Sequence, residues 1–368
     1  MVGKKANGEG AIAQLENGRW RVRVMIDGKR HSANTATRKE AQAKYREFHG
    51  NADKGLLPAS EKLTLGQHIE RWLSDVVQPS VRSRTHKGYS DVARRLILPT
   101  LGKLKLTQIQ PNHVQQLYGQ LTASGLAPQS VRNVHAVLRR ALGQAVDWNL
   151  VPRNVAALAK PPRVARREVE VLSPDEVRVL IAAVRGDRWE ALIATALATG
   201  MRQGELLGLK WADVDLTRRV LHVQRQLQRD GTFEEPKTTK GRRTIDLPAS
   251  CVAILKEHRR QQTEERLLVG PEWQHDDLIF CTHQGKPLSQ RNVLRAYKLV
   301  LSRASLPDVS FHALRHTAAT LLLLQGVHPK VVQERLGHSN ISMTLDIYSH
   351  LIPSMGRAAA DQLDALLA

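Results

Sequence analysis

The reading turns on four segments of the carboxy-terminal half: Ala198-Thr199-Gly200-Met201-Arg202-Gln203-Gly204-Glu205-Leu206, His312-Ala313-Leu314-Arg315-His316-Thr317, Leu336-Gly337-His338 and Leu345-Asp346-Ile347-Tyr348-Ser349-His350. They hold Arg202, Arg315, His312, His338 and a late tyrosine, Tyr348. A guanidinium is a planar fork of donors that meets phosphate oxygens in pairs and stays charged at physiological pH. An imidazole moves a proton near neutral pH, and a phenol can serve as a covalent nucleophile. These are the groups needed to grip a phosphodiester and attack it.

Each segment alone also has an ordinary reading. An apolar run ends at Thr199-Gly200 and Arg202 opens the next helix, where unpaired N–H groups favour an anion. Glu205, three residues on, can hold that guanidinium, as it would in any surface ion pair. His312 and Arg315 share one helix face, with Leu314, Ala318, Leu321 and Leu322 expected on the buried side. That helix should end at Gly326, and Pro329 should open another that closes at Leu336-Gly337. A histidine after a helix is often only a C-cap, yet His338 stands 23 residues past Arg315 and 10 before Tyr348. His316 reads as a supporting residue. Tyr348 is expected on a short helix with Met343 and Leu345 towards the core. Residues 220–227 and 242–248 read as strands flanking 233–241, a hairpin with Lys237 and Lys240 near its tip.

The order Arg, Lys, His-x-x-Arg, His, Tyr resembles the signature of the tyrosine recombinase (phage integrase) family, over roughly the last 200 of the 368 residues. The resemblance implies a catalytic set of Arg202, Lys237, His312, Arg315, His338 and Tyr348, with Glu205 supporting Arg202. The lysine is a general acid towards the leaving 5′ oxygen, and Lys240 is the alternative to Lys237. Tyr348 would attack one phosphate to give a 3′-phosphotyrosine and a free 5′ hydroxyl, with charge stabilisation as most of the catalysis. No acidic cluster with two-metal geometry and no GxxxxGKS loop is present, so no metal, ATP or other cofactor is expected.

Composition agrees with a polyanionic partner. The 55 Lys+Arg against 35 Asp+Glu give a net charge of +20, with a pI near 10.4 and a mean hydropathy of −0.35. Such a charge suits salt-dependent nucleic-acid binding, although an Arg-rich composition alone would give the same number. The aromatic share of 4% argues against base-stacking platforms. The first residues lack the apolar stretch of a signal peptide, and no run reaches the ~20 residues of a membrane span. Cys251 and Cys281 have no metal-ligand spacing, so a reducing cytosol is the expected setting.

The fold class expected is multidomain α+β. Residues 1–55 read as a small three-stranded sheet plus one helix: Asn17-Gly18 and Asp27-Gly28 mark tight turns. Trp20, Val22, Val24 and Ile26 alternate with Arg19, Arg21 and Arg23, and Thr37 with Glu40 caps the helix. The sheet resembles the family's arm-type DNA-binding domain, its basic face a DNA-contact candidate. Residues 56–61 read as a linker. Residues 62–160 read as a helical bundle, with Leu65, Ile69, Trp72, Leu73, Val131, Val134, Val137, Leu138, Ala141 and Leu142 as its core and breaks at Pro79, Leu98-Pro99, Gly102, Pro111, Gly125 to Pro128 and Pro152. This bundle resembles the core-binding domain, and Thr85, Lys87 and Arg132 are its candidate DNA contacts. The basic, Pro-rich stretch 160–168 leads to residues 168–368, a mainly α catalytic domain with a small sheet, opened by Ser173 as N-cap and Pro174. An amphipathic tail carries Leu363, Leu366 and Leu367.

The function these readings imply is a site-specific recombinase of phage or mobile-element type, acting on attachment-site DNA as a tetramer in a bacterial cytoplasm. An accessory DNA-bending or excision factor is a further partner, and no membrane is expected. A Xer-like dimer resolvase, a type IB topoisomerase and a non-catalytic DNA-binding regulator remain the alternatives. The amino-terminal sheet favours an integrase over the first, and retention of every reactive residue disfavours the last.

Overall fold

The computed structural model describes residues 11–26, 29–52, 62–165, 170–236, 241–274, 277–338, 340–342, 344–345, 364 and 367. The chain forms two compact units, Met1–Arg166 and Arg167–Ala368. No helix among the described residues is long and apolar enough to cross a membrane.

In the first unit β1 (Ala11–Gln14), β2 (Trp20–Ile26) and β3 (Lys29–Thr35) make an antiparallel sheet in that order. Side chains alternate along β2, so Val22 and Val24 pack with Ala41 and Phe48 of α1 (Arg38–Ala52). Arg21 and Arg23 take the other face, while Arg19 lies in the turn before the strand. The Asn17-Gly18 connection is longer than the two-residue hairpin expected. Leu15 N donates to Arg19 O (2.7 Å) and Gly18 N to Leu15 O (2.9 Å), with Gly18 at φ +78°. This is a three-residue loop whose left-handed position suits glycine. Asp27-Gly28 and the linker 56–61 lie outside the described residues. Thr37 Oγ1 accepts from Glu40 N at 3.2 Å, but Glu40 reaches back to Ala36 N (3.0 Å) rather than to Thr37.

A second core in this unit belongs to the helical bundle. A capping box of Thr64 and Gln67 starts α2 (Leu65–Trp72). The helix then widens into a π turn, Leu73–Val77, and continues as α3 (Gln78–Ser80). The same sequence of events recurs in α4 (Ser83–Val92), a π turn Ala93–Ile97 and α5 (Leu98–Leu101). Breaks expected at Pro79 and Leu98-Pro99 are therefore displaced to the residues after them. A proline ring ordinarily collides with the carbonyl four residues back and lacks its N–H. Here Gln78 and Leu98 donate five residues back, to Leu73 O and Ala93 O, and the wider turn relieves the collision. α6 (Pro111–Ala123) and α7 (Pro128–Asp147) complete the bundle. Leu65, Ile69, Trp72, Leu73, Val131, Val134, Val137, Leu138, Ala141 and Leu142 are all buried in its core. Each of the buried Leu, Ile and Val side chains contributes about 1.5–3 kcal/mol. Arg132, Arg139 and Arg140 of α7 and Lys87 of α4 are exposed, and Thr85 is half-buried.

The second unit opens with α8 (Pro174–Ala183), where Ser173 Oγ accepts from Glu176 N and Glu176 accepts from Ser173 N. α9 (Glu190–Thr199) is apolar on nearly every face and lies inside the core. It stops at Gly200, whose φ of +62° reverses the chain into α10 (Gln203–Leu207). β4 (Val214–Asp215), β5 (Val220–Val223) and β8 (Arg243–Asp246) form one sheet in that order, and β6 (Gln226–Leu227) pairs with β7 (Phe233–Glu234) in a ribbon between β5 and β8. The single hairpin expected thus carries a second ribbon within it. α11 (Ala249–Val269) and α12 (Gln290–Arg303) pack over the core.

α13 (Ala313–Leu324) and α14 (Pro329–Leu336) close the unit, α14 ending on Gly337 at φ +68°. On α13 Leu314, Ala318, Ala319 and Leu323 are buried, whereas Leu321 and Leu322 are only half-buried. Leu323, in place of Leu321, turns inward to pack with Ala319 and with Val332 and Leu336 of α14. Leu345 is exposed rather than core-facing, and Thr344 is the buried residue of that turn. Met343, Leu363 and Leu366 lie outside the described residues; Leu367 is exposed.

A Cβ at Gly200 would lie 2.4 Å from Leu336 Cδ2, in a left-handed backbone. Gly200→Ala should destabilise the protein by about 2–4 kcal/mol through strain and overpacking. Chemical denaturation checks this; an unchanged midpoint would refute the packing described.

Candidate active site

Helix ends build the site. The carbonyls at the end of a helix have no partner within it, and that of the residue capping α9, Gly200 O, accepts from Arg315 Nη1 at 2.8 Å. Arg315 comes from the first turn of α13, with His312 as the N-cap of that helix. Arg202, two residues after Gly200, is the N-cap of α10. One turn therefore carries Arg202 and anchors Arg315.

Glu205 lies in the first turn of α10 and is only 3% exposed. Its Oε1 accepts from Arg202 Nη1 (2.8 Å) and its Oε2 from Arg202 N (3.1 Å). Oε2 also accepts from Arg243 Nη2 at 2.8 Å. The expected surface pair is thus a buried carboxylate shared by two guanidiniums. Burial pushes the Glu205 carboxyl up, but Arg243 and then Arg202 outweigh it and hold it below the usual range. Arg243 reaches further: its Nε donates to Arg335 O (2.7 Å) and its Nη1 to Gly241 O (3.2 Å).

His338 follows Gly337 at the end of α14 and is buried. Its backbone exchanges two hydrogen bonds with Gln333, and its Nδ1 lies 2.9 Å from Thr344 Oγ1, itself fully buried. Arg202 Nη2 donates to Gly337 O at 3.4 Å, joining the two segments. His312 is exposed on one side and meets His316 edge-on at 4.8 Å. Burial, then His316, Arg315 and Arg202, push His312 down to about 4. Burial, then Arg315 and Arg202, push His338 down to about 3. Burial and then Arg202 bring Arg315 down to about 9, which still leaves it charged at neutral pH.

Arg202, Arg243 and Arg315 face one carboxylate, an excess of two positive charges. Arg315 Nη2 is buried with no hydrogen-bond partner among the described residues. A buried charged donor without an acceptor is costly, and an anion's oxygen would satisfy it. The arrangement can bind a phosphate through two guanidiniums and neutral imidazoles, and can stabilise charge that develops on it.

Of the residues expected from sequence, Arg202, Glu205, Arg315 and His338 meet in this cluster and His312 stands at its rim. Lys237, Lys240 and Tyr348 lie outside the described residues. Arg19, Arg21, Arg23, Thr85, Lys87 and Arg132 belong to the other unit. Sequence reasoning missed Arg243 and Thr344. A signal for Arg243 did exist: it alternates with Ile245 and Leu247, so it occupies a core-facing place on β8, where a charge needs a partner. Nothing in the local pattern marks Thr344.

The model of the phage integrase family matches residues 170–354, and that of the phage integrase N-terminal SAM-like domain matches 64–121. A "Tyrosine recombinase XerC-like" protein of Caldanaerobacter subterraneus subsp. tengcongensis is 35% identical over 96% of this chain and 94% of its own. Residues 82–397 of the Tn1549 transposon integrase, in complex with a circular intermediate DNA, match 82% of this chain over 99% of that fragment, at TM-score 0.72 and 23% identity. A lambda integrase tetramer bound to a Holliday junction matches 94% and 96%, at TM-score 0.59 and 18% identity. The chain belongs to the phage integrase family of tyrosine recombinases, site-specific integrases that cut and rejoin DNA.

Proposed function

We propose that this chain is the integrase of a phage or mobile element and that Arg202, Arg315, His312 and His338 bind the scissile phosphate of its attachment-site DNA. The observation that carries this reading is the Nη2 of Arg315, buried without a partner among the described residues, beside Arg202 in a cluster with surplus positive charge. Tyr348 attacks the phosphorus as its phenol proton passes to water, the P–O5′ bond breaks, and the 5′ oxygen departs with a proton from Lys237 or Lys240. The 5′ hydroxyl of the partner strand then displaces the tyrosine. One phosphoester replaces another at each step, so bond energy is conserved and no ATP is consumed. His338 Nδ1 lies 2.9 Å from Thr344 Oγ1; in the tautomer in which Nδ1 accepts from Thr344, the ring keeps an Nε2–H to donate to the phosphate.

Residues 1–55 serve as the arm-type domain, with Arg19, Arg21 and Arg23 towards DNA. Residues 62–160 serve as the core-binding domain with Thr85, Lys87 and Arg132, and residues 168–368 as the catalytic domain. The lambda integrase tetramer on a Holliday junction supports a tetramer on DNA. The same reading places the protein in the cytoplasm of a bacterial host, with an accessory bending or excision factor. A Xer-like resolvase is the second reading, favoured by the name of the Caldanaerobacter relative; the amino-terminal sheet, suited to a second class of DNA site, favours the integrase.

Three outcomes are expected. On a nicked duplex carrying the DNA that flanks the gene, Tyr348→Phe should bind normally and form no covalent adduct. Persistent adduct would remove Tyr348 as the nucleophile. In the same trap only one of Lys237→Ala and Lys240→Ala should lose cleavage, by about 10²–10⁴-fold; two fully active variants would exclude a hairpin lysine as the acid. The histidines give a pH test. Their folded values lie below the ordinary 6.5, so the unfolded chain binds more protons, and stability falls as pH drops from 6.5 towards 4. A phosphate between Arg202 and Arg315 offsets their charge and raises both histidines. Calorimetry near pH 5 in two buffers should therefore show proton uptake on DNA binding, and zero uptake would sink the phosphate assignment.

A further inference from the structure

We infer that Arg243 is a positioning residue of the cleavage site, holding the Glu205 carboxylate, and through it Arg202, where the phosphate is bound. The inference rests on the phosphate-binding reading of Arg202 and Arg315. Arg243 differs from a generic core ion pair in that its three nitrogens go to three separate places. Nη2 donates to Glu205 Oε2 (2.8 Å), Nε to Arg335 O (2.7 Å) and Nη1 to Gly241 O (3.2 Å). Glu205 is the anchor of Arg202. Arg335 lies three residues before His338 on the end of α14. Gly241 follows Lys240 directly in the sequence. A single fork on β8 therefore ties the first arginine and the segment leading to the second histidine to the start of its own strand, just after the candidate lysines in sequence.

Geometry makes this connection stiff. The side chains of Arg243 and Glu205 are 6% and 3% exposed, so solvent neither screens the pair nor offers it other partners. Arg202 is 39% exposed, and without its carboxylate only the long bond to Gly337 O (3.4 Å) would hold its guanidinium. Glu205 has two oxygens for three N–H donors, and loss of Arg243 leaves it to Arg202 alone. The carboxylate would then follow Arg202 rather than fix it. Arg243 also counts first among the charges that keep Glu205 ionised against its burial. A lysine could supply the charge but not the three divergent bonds.

The test is single-turnover cleavage of the nicked duplex, with DNA affinity and thermal unfolding measured on the same full-length samples. Arg243→Ala should fold and bind DNA within a few-fold of the parent, yet form covalent adduct about a hundredfold more slowly, the scale of a misplaced catalytic group. Millimolar guanidinium should restore adduct formation at least tenfold, against a control of equal ionic strength in sodium chloride. Arg243→Lys should be intermediate. In a cycle with Glu205→Gln, the double variant should cleave no more slowly than Glu205→Gln alone, since both changes act on one chain of contacts. A folded Arg243→Ala that cleaves like the parent would overturn the inference. Slowing without guanidinium rescue, or with effects that multiply in the double variant, would also overturn it by making Arg243 merely structural. Should Arg243→Ala not fold, Arg243→Lys and the cycle built on it decide in the same way. A parent protein that forms no adduct would sink the phosphate reading itself, and this inference with it.

Discussion

Glu205 is the constraint on which the second unit's site depends. A carboxylate this buried is unfavourable unless its oxygens are fully engaged, and a lone partner seldom repays the desolvation. Arg202 and Arg243 together engage it, and the backbone N–H of Arg202 adds a third donor. That arrangement fixes the start of α10 with respect to β8. It also explains the cluster's surplus charge: one carboxylate can hold two guanidiniums in place without cancelling them, and Arg315 adds a third. The result is a positive surface with one donor, Arg315 Nη2, left over among the described residues.

The rest of the site is made from the ends of helices. α9 stops at Gly200, α10 starts at Arg202, α13 starts at His312 and α14 stops at Gly337. Helix ends expose backbone groups that the helix itself cannot pair. Here Gly200 O and Gly337 O accept from Arg315 and Arg202, and Ala198 O accepts from Arg335 at 2.7 Å. Arg315 and Arg335 are held in this way by backbone, and Arg202 by backbone together with the buried Glu205 carboxylate. Such preorganisation is what electrostatic stabilisation of a phosphoryl transition state requires.

In the other unit, two helices pass through prolines that would ordinarily end them. Both do so by the same device, one widened turn immediately upstream. Trp72, Leu73, Val77, Ala93, Ile97 and Leu101 are buried on both sides of these turns. Core packing thus overrides the local preference of Pro79 and Pro99, and sequence alone gives the breaks slightly too early.

Much of the molecule was legible in the chain. Alternation in Val22 and Val24, helical spacing in Leu65, Ile69 and Val131 to Leu142, and the Ser173-Pro174-Glu176 cap are local signals, set by periodicities of 2 and 3.6 and by hydrogen bonds a few residues long. The four motifs, too, were legible as residue types in order, because the chemistry of a phosphodiester restricts which groups can serve. What the chain by itself could not give was the partner of each group. Glu205 read as the mate of Arg202 and proved to be shared with Arg243, 38 residues away. Arg315 reaches back 115 residues to Gly200, and the ring of His338 depends on Thr344. Burial is a property of the assembled fold, and it alone turned an ordinary i,i+3 pair into the anchor of the site.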